Sequence, residues 1–238
     1  VTVPGVVALN RQNYAQDLQV SSRGFGARSA FGVRGVRLVA DGIPASMPDG
    51  QGQAATFNLD MAERIEVLRG PCSALYGNHA GGVIQLFTRD GEGRPTVEAA
   101  LAAGSDGTRK TDLNAHGKAG GLGYVLDASR FETDGYREHS AATRDQSFAK
   151  LTPTVGAGRL VITASALRQK DSQDPLGVTW ATFSRAPRAG ERDPTDPLGR
   201  TFAARYNTRK SIDHQQAGAA YDVEFGGTRL HAMAYGGN

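Results

Sequence analysis

From residue 95 onward the chain is built of long segments that alternate polar and apolar residues with period two. They run near 95–103, 109–119, 122–133, 144–155, 158–170, 209–225 and 228–237. Most are about twice the five or six residues usual for soluble strands, and lengths of about ten residues suit a strand that crosses a bilayer. In "KTDLNAHGKA", Lys110, Asp112, Asn114, His116 and Lys118 share one face, opposite Thr111, Leu113, Ala115, Gly117 and Ala119. In "HQQAGAAYDVEF", Gln215, Ala217, Ala219, Tyr221, Val223 and Phe225 lie opposite Gln216, Gly218, Ala220, Asp222 and Glu224. One face is wet and the other apolar, although Arg130 interrupts the row of Tyr124, Leu126 and Ala128.

The connections alternate too. "GGL", "GAG" and "GGT" are tight glycine turns, whereas "GSDGT", "DGYREHSAATR" and a stretch of nearly forty residues from Asp171 to Arg209 are long loops. Short turns on one rim and long loops on the other are the pattern of a transmembrane β-barrel. A soluble β-sandwich would explain the alternation, but not the strand lengths or the rim asymmetry.

Up to about Gly93 the texture differs: short β-branched runs such as "VRGVRLVADGIP", "RIEVLRG" and "GGVIQLFT" stand between unequal loops, as in a small mixed α/β domain. "FNLDMAER" predicts a short helix capped by Asn58 or Asp60, and Ser73 can cap a turn through "SALYG". Pro71 would stop one strand and Gly81–Gly82 would let the chain return to the sheet, with Cys72 a small apolar filler at the bend. The domain boundaries predicted are 1–93 and 94–238.

The 31 glycines, single Trp and three Met argue against a helical interior. A formal charge of +3 from 27 basic and 24 acidic residues spread along the chain is no nucleic-acid footprint. One cysteine excludes an internal disulfide, no Cys/His spacing suggests zinc, and no apolar run is long enough for a spanning helix. His116, His139, His214 and His231 are scattered, and His79 sits among glycines, so no metal site and no cofactor is expected from the chain's own residues. No G-x-S-x-G, H-E-x-x-H or phosphate loop occurs, and "GFGARSAFG" lacks the strand-to-helix setting of a dinucleotide fingerprint, so no enzyme is expected. A soluble β-rich carbohydrate-binding module or hydrolase with paired carboxylates is the competing reading.

The segments "SSRGFGARSAFGVRGVRLVADGIP" and "DMAERIEVLRGPCSALYGNHAGGVIQLFT", followed by amphipathic strands, closely resemble the TonB-dependent outer-membrane receptors of Gram-negative bacteria. Ala40 stands where that family usually has Val, Cys72 follows Arg-Gly-Pro, and Gln85 replaces the common Asn. The resemblance implies an α+β plug inside an antiparallel transmembrane barrel of 22 strands, about seven of them in this chain. It implies active import of a scarce nutrient, an iron-siderophore by base rate, with cobalamin, heme, copper chelates, sugars or quinone cofactors as alternatives. The partners would be a small-molecule ligand, outer-membrane lipids and the TonB-ExbB-ExbD complex, with docking of phage or bacteriocin as a further role. Seven strands alone could not close, and an open edge in lipid would leave backbone groups unpaired.

Ligand contact in such a receptor would fall to apical plug loops. "GARSAF" offers Arg28 as a bidentate donor and Phe31 as an aromatic face, and "ASMPDGQGQ" offers Met47, Asp49, Gln51 and Gln53 as a mixed rim. Glu63, Glu66 and Arg69 could form plug-to-wall ion pairs or pair locally within the plug.

Overall fold

A computed structural model describes residues 3–11, 13–29, 32–47, 49–70 and 79–238. Three sheets account for the described strands. A small ribbon pairs β1 (Val6–Leu9) with β2 (Gln19–Ser22). A four-stranded sheet runs in the order β4-β3-β6-β5, from β3 (Arg37–Ala40), β4 (Ile43–Pro44), β5 (Ala62–Leu68) and β6 (Val83–Thr88). Strand β3 lies parallel to β6, which is antiparallel to β5, so "RIEVLRG" and "GGVIQLFT" are indeed neighbours.

The third sheet is a seven-stranded antiparallel meander in chain order: β7 (Thr96–Ala103), β8 (Arg109–Ala119), β9 (Leu122–Thr133), β10 (Ala142–Val155), β11 (Gly158–Gln173), β12 (Arg209–Phe225) and β13 (Thr228–Gly237). The strand expectations hold to within three residues at each end. The register sorts their side chains cleanly. Ala115, Leu126, Ala149, Ala164 and Ala217 form one cross-strand row on the outer face, and Leu151, Ile162, Ala219 and Ala234 another. Outward Val97, Leu113, Leu126, Ile162, Phe225 and Leu230 are exposed despite being apolar. Such an apolar band is what hydrocarbon demands of a barrel exterior. Arg130 belongs to a different row, beside Asp145, Arg168 and Asp213, nearer the long loops. It breaks the apolar pattern because it stands beyond the band, bonded to Glu132 and Asp145.

One expectation about helices is corrected and two further helices are found. "FNLDMAER" is not helical: a single 3-10 turn spans Ala54–Thr56 and β5 begins at Ala62. The Asn58 side chain accepts a hydrogen bond from the Asp60 amide, two residues on, which closes a local turn in place of a helical cap. The longest loop holds two short helices, α1 (Trp180–Arg185) and α2 (Phe202–Tyr206), whose N-caps are the hydroxyls of Thr179 and Thr201. Pro71, Cys72, Ser73 and the "SALYG" turn lie outside the described residues. Among those described, no helix is long and apolar enough to cross a membrane.

The four-stranded sheet nests against the inner face of the meander. Its own core is Val20, Val33, Val36, Leu38, Phe57 and Leu86, all buried. A second cluster joins Met61 of the plug to Val125 and Phe148 of the wall, an apolar knob worth about 1.5–3 kcal/mol when fully buried. The link between the two parts, 89–95, passes so close to β9 that a Cβ on Gly91 would meet the Tyr124 amide nitrogen at 2.0 Å.

Candidate functional site

The seam between plug and wall is polar and begins with a turn. "VADGIP" places Asp41 and Gly42 both at positive φ, 47° and 83°, the two-residue hairpin geometry for which Asp-Gly is favoured. That turn aims the Asp41 carboxylate at the end of β6, where Thr88 donates to it from its amide at 3.0 Å and its hydroxyl at 2.5 Å. From the wall, Lys150 reaches the same carboxylate at 3.2 Å, Asp90 at 2.8 Å, and the Thr88 carbonyl at 3.1 Å. Its side chain is only 4% exposed and that of Asp41 6%. Arg159 grips Asp90 with bonds of 2.8 and 2.7 Å. A lysine buried on a barrel wall needs such partners, because an isolated charge there would be costly.

Higher on the wall, Asn58 donates to Asp127, Lys110 pairs with Asp60, and Gln146 donates to the Ala55 carbonyl at 3.0 Å. Lys210 meets the buried Asp17 at 2.9 Å, and Gln169 donates to the Tyr14 carbonyl at 2.7 Å. Asn13 and Gln16 donate to Asp174 where the longest loop begins. Three plug segments, 13–17, 41–61 and 88–90, are thereby fixed to five wall strands and a loop.

Between the loop 45–53 and strands β12 and β13 lies a cleft of about 630 Å³. Met47, Gln51 and Gln53 line it from the plug, and Lys210, His214 and Gln216 from the wall. The Gln53 side-chain oxygen is buried there without a hydrogen-bond partner among the described residues. Gln51 accepts from Arg34 at 2.8 Å, and its amide is held by the Asp49 carboxylate at 3.0 Å. Asp49 itself stands 3.9 Å from Arg34 and is not among the cleft residues. Lys210 is already paired with Asp17, so the walls of the cleft offer side-chain amides, the hydroxyls of Ser46, Thr56, Ser211 and Tyr235, the His214 imidazole and the Asp213 carboxylate.

The other residues singled out by sequence lie elsewhere. Arg28 is exposed and away from the cleft, and Phe31 lies outside the described residues. Glu66 pairs with Arg64 at 2.7 Å within β5, Arg69 donates to the Pro4 carbonyl at 2.7 Å, and Glu63 has no ion pair among the described residues. Sequence reading missed Lys150, whose position in the inward row with Arg144, Gln146 and Phe148 was the available signal.

The loop 174–208 is braced by its own charges. Asp196 is held down to a pKa of about 2 by the Arg200 guanidinium, with the Leu198 and Arg200 amides adding to it against the opposing effect of burial. Burial would raise Asp193, but the hydroxyl and amide of Thr195 and the Arg205 guanidinium outweigh it and leave the group lowered. Arg188 anchors the loop to Asp106 and lies 4.6 Å over the Tyr136 ring.

Residues 1–83 match the TonB-dependent Receptor Plug Domain family. The chain is 34% identical over 107 residues to the ferrienterobactin receptor of Escherichia coli K12, covering 39% of this chain and 14% of that protein. It is 28% identical over 136 residues to the vitamin B12 transporter BtuB of Vibrio vulnificus, covering 56% and 22%. Its fold matches the ferric yersiniabactin uptake receptor FyuA of Yersinia pestis with a TM-score of 0.71 at 17% identity, over 98% of this chain and 36% of that one. Against the unliganded ferric citrate transporter FecA the TM-score is 0.70 at 20% identity, over 98% and 35%. The chain therefore spans about a fifth or less of the curated relatives' length and about a third of these solved chains.

Proposed function

We propose that this chain, the plug domain and adjoining barrel strands of a TonB-dependent receptor, acts within a longer outer-membrane protein that imports a scarce nutrient into a Gram-negative cell. A plug held to its wall by side-chain bonds blocks the lumen at rest. Work delivered from the TonB-ExbB-ExbD complex would break those bonds and open a path. The observation that carries this reading is the seam itself, where Lys150 closes plug and wall through Asp41, Thr88 and Asp90 while a cleft stays open above.

The ligand favoured is a metal chelate, an iron-siderophore first. The relatives named for enterobactin, yersiniabactin and citrate complexes of iron support that choice, and the vitamin B12 transporter keeps cobalamin as the alternative. Gln51 and Gln53 are proposed as ligand contacts, because amides in a concave site supply orientation without charge.

The test is growth and uptake in a strain lacking the receptor, with the intact receptor restored, across a panel of iron chelates and cobalamin. Rescue by one iron chelate supports the reading, and rescue only by cobalamin moves it to the alternative. With the rescuing ligand, Gln53→Ala should weaken binding about fivefold, the worth of about one net hydrogen bond, while Arg28→Ala leaves it unchanged. Equal losses in both variants would remove Gln53 from the site.

A further inference from the structure

We propose that Asp60, Asp112 and Asp127 hold a hard divalent cation, calcium by fit, which staples the plug to β8 and β9. The three come from separate places. Asp60 follows the turn that Asn58 closes, and Asp112 and Asp127 sit on the inner faces of adjacent strands in neighbouring rows, Asp112 opposite Ser129 and Asp127 opposite Asn114. One oxygen from each lies within 4.8 Å of the other two. Calcium binds oxygens at about 2.4 Å, so ligands on opposite sides of one ion stand at most about 4.8 Å apart.

The orphaned oxygens point to a ligand independently of the clustering. Asp127 is 5% exposed, and its Oδ2 is buried with no hydrogen-bond partner among the described residues. The Asn58 amide is spent on Oδ1. Asp112 Oδ2 is buried without a partner as well. Three carboxylates here face one lysine, Lys110, which pairs with Asp60. A buried carboxylate oxygen with no donor needs either a cation or a proton. A doubly charged ion cancels the excess and serves both orphaned oxygens together.

The donor set selects the ion. It is all oxygen, which suits calcium or magnesium over zinc or copper. Magnesium demands a near-ideal octahedron at about 2.0–2.1 Å, and calcium tolerates ligands from unrelated segments. A cavity of about 380 Å³ reaches the edge of the cluster at Asp60 and Lys110.

The test uses the intact receptor in detergent, stripped with chelator and dialysed against radioactive calcium. Wild type should bind one ion that Asp127→Asn and Asp112→Asn bind at least tenfold more weakly, while Asp145→Asn, at the outer rim, binds as wild type. Chelator should lower the thermal midpoint of wild type but not of Asp127→Asn. Should Asp127→Asn not fold, Asp112→Asn alone carries the comparison. Equal calcium binding by wild type and the aspartate variants overturns the proposal and assigns the orphaned oxygens to a shared proton. None of these readings depends on which nutrient is imported.

Discussion

Replacing Lys150 by Met tests whether the seam holds the plug. The substitution keeps most of the stem and removes only the charge and its bonds to Asp41, Asp90 and Thr88. Asp90 remains gripped by Arg159, so the loss falls mainly on Asp41, 6% exposed, which among the described residues keeps its two bonds from Thr88. Breaking a buried pair by deleting one partner costs about 3–5 kcal/mol, and the retained bonds argue for the lower end. At about 1.4 kcal/mol per decade, local opening of the plug should rise about 100-fold. Hydrogen exchange in the intact receptor, resolved to 37–46 and 83–90, reads that directly. Arg159→Met is the comparison, since its guanidinium is 58% exposed and an exposed pair is worth about 1 kcal/mol or less. Adding Asp41→Asn to Lys150→Met should recover more than half the loss, because the uncompensated carboxylate disappears. The reasoning fails if Lys150→Met speeds exchange no more than Arg159→Met does.

Other perturbations probe separate features. Ile162→Arg, on the apolar outer face, should destabilise the receptor by about 2–4 kcal/mol in a bilayer folding assay; a soluble sandwich would tolerate it, so a neutral result would refute a lipid-facing band. Gly91→Ala should cost at least about 1–3 kcal/mol, since the added carbon meets β9 backbone at 2.0 Å, and chemical denaturation would register it as a lowered midpoint. The loop 174–208 should keep its protection from pH 7 to about 4 and lose it as pH falls toward 2, since the pKa of Asp196 is about 2 when folded against 3.8 ordinarily. A folded pKa below the unfolded one means stability present above the unfolded value and lost on acidification. Exchange corrected for intrinsic rates and resolved to 190–205 should show that loss, and Asp196→Asn should show it already at pH 7.

How much of this was legible depended on whether neighbours in sequence or across the lumen decided the structure. The wall was readable because one physical demand, apolar outside and polar inside, repeats every second residue in "KTDLNAHGKA" and "HQQAGAAYDVEF", and because glycine turns and long loops mark opposite rims. Even Arg130 kept that logic once its row mates Asp145 and Arg168 were known. The turn at Asp41–Gly42 was visible as a turn, but its purpose was not. The Asp41 carboxylate acts through Thr88, 47 residues on, and Lys150, 109 residues on. Glu63, Glu66 and Arg69 caught attention because they crowd one short strand, whereas Lys150 and Asp127 sit alone among neutral neighbours. Local charge density therefore pointed to exposed β5, and the buried charges emerged only from cross-strand register. The same distinction explains the missed helices: Thr179 and Thr201 are ordinary threonines until Glu191, Asp193 and Asp196 fix the loop around them. In a plugged barrel, the residues that hold plug and wall together are the inward polar positions of long strands, taken row by row, and a sequence search for such sites should score those rows before it scores motifs.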